Sequence, residues 1–160
     1  MELNGKPWRT ILAFVLLTEA VGALSGWLTR AGTEHFKNAV NKPPLSPPAA
    51  VFPIVWAVLF ALMGISAALV YLSPASRART LGLQLYWVQL GFNFLWSILF
   101  FNLRNYPLAF GWLAVLWGLI VWMALTFHEV RPAAAWMQAP YLLWVLFAGY
   151  LNWGVYKLNP

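Results

Sequence analysis

Residues 42–72 read KPPLSPPAAVFPIVWAVLFALMGISAALVYL, a stiff loop that runs straight into an apolar helix. Pro43, Pro44, Pro47 and Pro48 hold the backbone near polyproline II, with few conformers left to lose on ordering. A strap of this kind covers a cavity at low entropic cost. From Val51 to Leu72 no charged residue occurs. That length is close to the ~20 residues that cross hydrocarbon as a helix. Pro53 falls in the first turn, where a missing N–H costs nothing, and Trp56 follows it.

Outward from this stretch the pattern repeats. The apolar segments are Trp8–Leu28, Val51–Leu72, Leu81–Phe101, Pro107–Phe127 and Ala135–Tyr156. The chain of 160 residues is 62% hydrophobic and 9% charged, with a mean hydropathy of +0.68. Soluble domains carry about 25% charged residues, and buried soluble helices need a polar face that these segments lack. The expected fold is therefore an all-α membrane protein. It is a five-transmembrane-helix bundle with a long proline-rich loop, Thr29–Ala50, between the first and second helices. Residues 1–160 read as a single domain. The first segment has some signal-peptide character, with Lys6 and Arg9 ahead of Ile11–Leu17. Its apolar run continues through Trp27 and Leu28, which favours a retained helix.

The other connections, Ser73–Thr80, Asn102–Tyr106 and His128–Ala134, are short and imply antiparallel neighbours. Pro140 is expected to kink or tighten the start of the last helix. No internal repeat is visible. The net charge of +6 does not indicate nucleic acid, because the basic residues lie in segment flanks and loops, where they meet lipid phosphates. Lys6, Arg9, Arg77, Arg79 and Arg131 fall on one side, and Arg30, Lys37, Lys42, Arg104 and Lys157 on the other. This tie gives no orientation. The chain has no Cys, which excludes disulfides and thiolate metal sites.

Tryptophan is abundant, at 11 residues, more than an interfacial belt requires. Trp56, Trp96, Trp117 and Trp144 lie deep in their segments, where an indole N–H needs a partner. Helical spacing sets out three stripes. Phe52, Trp56, Phe60 and Met63 lie on the second helix. Gln89, Asn93, Trp96 and Phe100 lie on the third. Tyr141, Trp144, Ala148 and Asn152 lie on the fifth. Each stripe suits helix packing with amides bonded between helices, and together they suit one pocket for a flat apolar ligand. Glu19 is the one ionisable group deep in a span, and reads either as a functional carboxyl or as a lock between helices. Gly22 and Gly26, and Gly64 and Ala68, form small-residue pairs that allow close helix contact. His35 and His128 are expected in loops on opposite sides, so they form no common metal site. No phosphate loop, catalytic triad or carboxylate pair is present.

Three blocks carry a resemblance to a known family. The first is Lys42 to Pro48 leading through Phe52-Pro53 to Trp56. The second is Gln89-Leu90 through Asn93, Trp96-Ser97 and Phe100-Phe101 to Arg104-Asn105. The third is Pro140-Tyr141, Trp144, Ala148, Leu151-Asn152 and Asn159. With five spans and the long first loop, the chain resembles the TspO/MBR family of tryptophan-rich sensory proteins and translocator proteins over nearly its whole length. The resemblance implies a bundle, often a homodimer, with a pocket under the first loop that binds porphyrins and haem-type tetrapyrroles. By motif position it implies Trp56, Asn93, Trp144 and Ala148 in the pocket, with Pro47 and Pro48 in the lid. The stripes add Phe52, Phe60, Tyr141 and Trp96.

The chain also departs from the family pattern. Phe36 and Lys37 stand where many members carry Trp-Tyr, and Leu45 where a Trp is usual, so this loop offers fewer rings. The sterol pattern fails at the end of the last helix, where Lys157 follows Tyr156 directly. Its reversed form occurs at Arg104–Leu108, and no sterol binding is expected.

Three functions follow as expectations. The leading one is porphyrin binding for sensing, sequestration or transport, with the porphyrin as ligand, no required cofactor, and lipid as the surrounding partner. The second is light- and oxygen-dependent porphyrin breakdown, which would place Trp56 and Trp144 at the reaction. The third is a structural or partner-binding bundle. The strap variant and the short tails favour a prokaryotic cell membrane as the location.

Overall fold

The structure, a computed structural model, describes residues 5–160, so the first four residues of the expected 1–160 domain lie outside the description. The helices are α1 (Pro7–Leu28), α2 (Arg30–Ala39), α3 (Val51–Tyr71), α4 (Arg77–Ser97), α5 (Tyr106–Val130), α6 (Pro132–Trp136) and α7 (Ala139–Leu158). A π-helical turn, Ile98–Asn102, extends α4. Among the described residues all regular structure is helical. α1, α3 and α5 are long and apolar enough to cross a membrane by length and composition. α4 and α7 are as long, but carry Gln84, Gln89 and Asn93, and Asn152 and Lys157.

Local chemistry explains the ends. Ser76 caps α4 by accepting the Arg79 N–H at 3.0 Å. Asn105 caps α5 by accepting the Leu108 N–H at 3.2 Å, with Pro107 in the first turn. The π turn closes with the Leu103 N–H on the Ile98 carbonyl at 2.9 Å, and Arg104, at φ 53°, ends it in the left-handed region.

Several expectations need correction. The first loop is not wholly irregular: α2 occupies its first half, so His35 lies in a helix, and only residues 40–50 are without one. The chain turns at Thr29, whose N–H still reaches the Ser25 carbonyl at 3.0 Å while its own carbonyl receives Thr33 N–H at 2.8 Å. His128 belongs to α5, which runs on to Val130. The last segment is divided, because the chain breaks at Met137-Gln138 and restarts with Pro140 in the first turn of α7. The strap is not uniformly extended either. It bends at Leu45, at φ 68°, beside a turn in which the Ser46 hydroxyl donates to the Pro43 carbonyl at 2.7 Å.

α1 packs on α3, α4 on α5, and α5 on α7. The α1–α3 contact is close because Gly64 faces the backbone of Val15. α3 and α7 are not among these close pairs. Between them ring contacts bridge a gap, Phe52 to Trp144 at 5.8 Å and Trp56 to Tyr141 at 6.2 Å. Outward-facing side chains are largely apolar, among them Leu12, Leu16, Ile54, Val115, Leu125 and Leu143.

Candidate ligand cavity

The gap between α3 and α7 opens into a cavity of about 670 Å³ beneath α2 and the strap. Walls come from four long helices. α3 brings Phe52, Trp56 and Phe60; α4 brings Asn93, Trp96 and Phe100; α7 brings Trp144, Ala148 and Asn152; and α1 brings Glu19, Gly22 and Gly26. Trp56 and Phe60 stack at 5.5 Å, and Trp96 and Phe100 at 5.2 Å, so flat faces recur along the walls. Gly22 has no Cβ because the Phe60 ring occupies that space.

Polar groups in the walls are mostly paired across helices. Asn93 Nδ2 donates to the Tyr141 hydroxyl at 2.8 Å, and that hydroxyl donates to Gln89 Oε1 at 2.8 Å. Trp96 Nε1 donates to Asn152 Oδ1 at 3.1 Å, while Asn152 Nδ2 donates to the Tyr106 carbonyl at 2.9 Å. Further from the cavity, Trp117 Nε1 finds the Leu142 carbonyl at 3.1 Å, and Tyr86 bonds Thr18 on α1. Trp144 differs: its buried Nε1 has no partner, although Trp144 lines the cavity. Glu19 also makes no hydrogen bond or ion pair among the described residues, so it does not lock α1 to a neighbour through a polar contact.

Eight of the sequence-derived residues meet around this one space: Trp56, Asn93, Trp144, Ala148, Pro47, Phe52, Phe60 and Trp96. Two do not. Tyr141 lies behind the wall, fully buried, where its hydroxyl ties α7 to α4. Pro48 faces outward, while Pro47 and Ala49 face the cavity. Met63, on the same α3 stripe as Trp56, is core, touching Gln89 Nε2 through its sulfur at 3.6 Å.

The roof was missed by stripe analysis. On α2, Arg30, Thr33, Glu34 and Lys37 face the cavity with i, i+3, i+4, i+7 spacing. That periodicity was available in the sequence, in a segment whose overall polarity suggested a loop. Gly32 lets this helix sit directly on the backbone of Phe101 and the side chain of Asn102. Phe36 packs edge-on against Phe101 at 5.5 Å, and tilted against Phe100 at 5.4 Å. Phe36 thus contributes one ring to the contacts beneath α2. Leu45 is 82% exposed and contributes nothing to the cavity.

The strap is latched to α7. The Asn41 N–H donates to Asn159 Oδ1 at 3.0 Å, and Asn159 Nδ2 donates back to the Asn41 carbonyl at 2.9 Å. The Tyr150 hydroxyl donates to the Pro44 carbonyl at 2.7 Å. Pro43 is buried over Gly154, where a Cβ would lie 2.5 Å from the proline ring. Tyr150→Phe and Gly154→Ala are therefore each expected to raise proteolysis within residues 40–50 by about two-fold or more, the first because one lost hydrogen bond is worth ~0.5–1.5 kcal/mol and the second because the added methyl displaces the Pro43 ring. Helix content by circular dichroism should be unchanged. Unchanged cleavage in both variants would show that these contacts do not hold the strap.

Comparison with known sequences identifies the family. The sequence model described as TspO/MBR family matches residues 14–158. The translocator protein of Bos taurus is 32% identical over 96% of this chain and 92% of its own length. The translocator protein homolog of Schizosaccharomyces pombe is 34% identical over 99% of this chain and 100% of its own. Tryptophan-rich protein TspO of Chlorobaculum tepidum is 33% identical over 94% and 96%. Matches of this extent, with apolar helices of membrane-spanning length, make the chain an integral membrane protein that belongs to the TspO/MBR family.

Proposed function

We propose that all five long helices cross the membrane and that the cavity binds a porphyrin- or haem-type tetrapyrrole, for sensing, sequestration or transport. α4 and α7 fit as spans because the amides in their middle and later turns face inward, while Gln84, in the second turn of α4, is exposed. Gln89, Asn93 and Asn152 are buried and bonded, while Trp87, Val88, Leu95, Leu143 and Leu146 face outward. Satisfying polar groups internally is what hydrocarbon demands. The observation that carries the ligand reading is the cavity's shape and lining. Its volume, about 670 Å³, lies within the ~300–1,000 Å³ typical of small-molecule sites, and its walls are flat rings with few amides. Rings stack on rings in offset or edge-on geometry, which suits a planar macrocycle.

The test is a dark titration of the purified protein with protoporphyrin IX, read by tryptophan quenching. Saturable binding in the micromolar range or tighter is expected. Trp56→Phe and Trp144→Phe should each weaken it by about three-fold or more, since each stacking or polar contact contributes ~0.5–1.5 kcal/mol. A folded protein without saturable binding would overturn the reading and leave the rings as packing.

A second reading, light- and oxygen-dependent porphyrin breakdown, is favoured by one observation. Trp144, with its unpartnered N–H, shares a single cavity with Trp56, so oxidisable indoles would flank a bound photosensitiser. Light-dependent loss of the porphyrin spectrum, abolished in Trp56→Phe, would support it.

A further inference from the structure

The roof of the cavity differs in chemistry from its walls. Arg30 and Lys37, on the inner stripe of α2, and Lys42, at the start of the strap, all line the space. None is neutralised by a hydrogen-bonded carboxylate. Lys42 Nζ donates to the Lys37 and Val40 carbonyls at 3.1 and 3.2 Å, and stands 5.0 Å from the centre of the Phe36 ring. An ammonium has three N–H groups, so this pinned charge keeps one to offer. Arg30 lies over the Trp27 ring at 4.7 Å and spends one N–H on the Trp27 carbonyl at 2.8 Å, with other guanidinium donors to spare. Lys37 has only Glu34, at 3.9 Å. Three cations therefore share the roof with one acid. Deeper in the cavity the single ionisable group is Glu19, of the opposite sign and without a polar partner. A ligand with acidic groups on one edge is attracted at the roof and repelled at the floor.

We propose that Arg30, Lys37 and Lys42 form a carboxylate-recognition subsite that holds a flat aromatic acid with its carboxylates towards α2 and its ring between the aromatic walls. The proposal rests on the cavity being the ligand site. Lys37 is the residue of most interest, because it faces the cavity and its one ion-pair partner among the described residues, Glu34, lies as far as 3.9 Å away. Two other cations on the same side, Arg104 and Lys157, do not line the cavity. Lys157 lies over the Trp153 and Tyr156 rings at 4.8 and 5.5 Å. They serve as controls for general attraction between a basic surface and an acid.

The experiment compares protoporphyrin IX with its dimethyl ester, which keeps the macrocycle and removes both negative charges. Phosphatidylcholine nanodiscs are used so that lipid headgroups bring no net charge. The Lys37→Gln/Lys42→Gln variant should lose about ten-fold in affinity for the acid and change little for the ester, because two solvent-exposed ion pairs, each worth up to about five-fold, are lost together. Arg104→Gln/Lys157→Gln should change neither. Acid binding in the unaltered protein should weaken with added salt and ester binding should not.

Retained ester affinity in the lysine variant also reports an intact fold. Equal loss for acid and ester, or equal salt response, would overturn the subsite while leaving the cavity as the binding site. A ten-fold loss in the control variant would assign the effect to the surface at large and would overturn it too. Binding of neither compound by the unaltered protein would overturn the tetrapyrrole reading, and this proposal with it.

Discussion

Gly64→Val is expected to destabilise the protein strongly, by forcing α1 and α3 apart. A Cβ at this position would lie 2.7 Å from Val15 Cα and 2.9 Å from Val15 N, with the Phe14 carbonyl carbon at 3.0 Å. All three atoms are backbone of α1, so no rotamer change relieves the clash, and the helices must separate. Overpacking of a tight interface costs ~1–3 kcal/mol for one added group, and a branched side chain exceeds that. In a membrane, helix association rests on such close packing rather than on exclusion of water, so the loss has little compensation. Gly64→Val should unfold several degrees or more below the unaltered protein in detergent, followed by near-ultraviolet circular dichroism. Gly64→Ala should lie between them. Gly26→Ala is the matched control, because nothing lies within 4 Å of its Cβ position. Equal melting of Gly64→Val and Gly26→Ala would show that α1 and α3 do not meet as described.

Asn152→Leu is expected to have the next largest effect. The side chains share one branched shape with the same number of heavy atoms, so the lost hydrogen bonds dominate the consequence. Asn152 is fully buried and bonds two helices at once, through Trp96 Nε1 of α4 and the Tyr106 carbonyl of α5. Each buried group left without its partner costs ~1–3 kcal/mol, and the two losses share one residue, so about 2–4 kcal/mol in total is expected. The indole bears most of it, because a helical carbonyl retains other acceptor geometry. A double-mutant cycle with Trp96→Phe tests this. Once the indole N–H is absent, Asn152→Leu should cost about 1–2 kcal/mol less than in the unaltered protein. Additive effects would mean that the Trp96–Asn152 bond contributes nothing net. Both residues line the cavity, so the same variants should weaken protoporphyrin binding as well.

These two sites show how much of the molecule is readable from residue order. Gly64 and Ala68 announce a close helix contact by their spacing, as do Gly22 and Gly26. Of these three glycines Gly64 alone has another helix's backbone against it, while Gly22 meets the Phe60 ring and Gly26 faces open space in the cavity. The stripes on α3, α4 and α7 likewise place Trp56, Asn93 and Trp144 on the correct helix faces, because 3.6-residue periodicity is a local property. Tyr141 obeys the same periodicity, yet its hydroxyl turns into the amide network instead of the cavity. Spacing assigns a residue to a face, and the neighbouring helix decides whether that face meets a void, a ring or an amide.

Residue order by itself determined the apolar helices, the family, the proline strap and most of the aromatic wall, since each depends on composition or on short-range periodicity. The tertiary structure decided the rest. It lifts α2 out of an apparent loop, because an amphipathic segment this polar is held as a helix by seating Gly32 on the end of α4. It separates α3 from α7 and so creates the cavity, turns Pro43 into Gly154 and Leu45 outward, and gathers Arg30, Lys37 and Lys42 over one opening. These features depend on distances between segments remote in sequence, and such distances are set by packing, which no local pattern encodes.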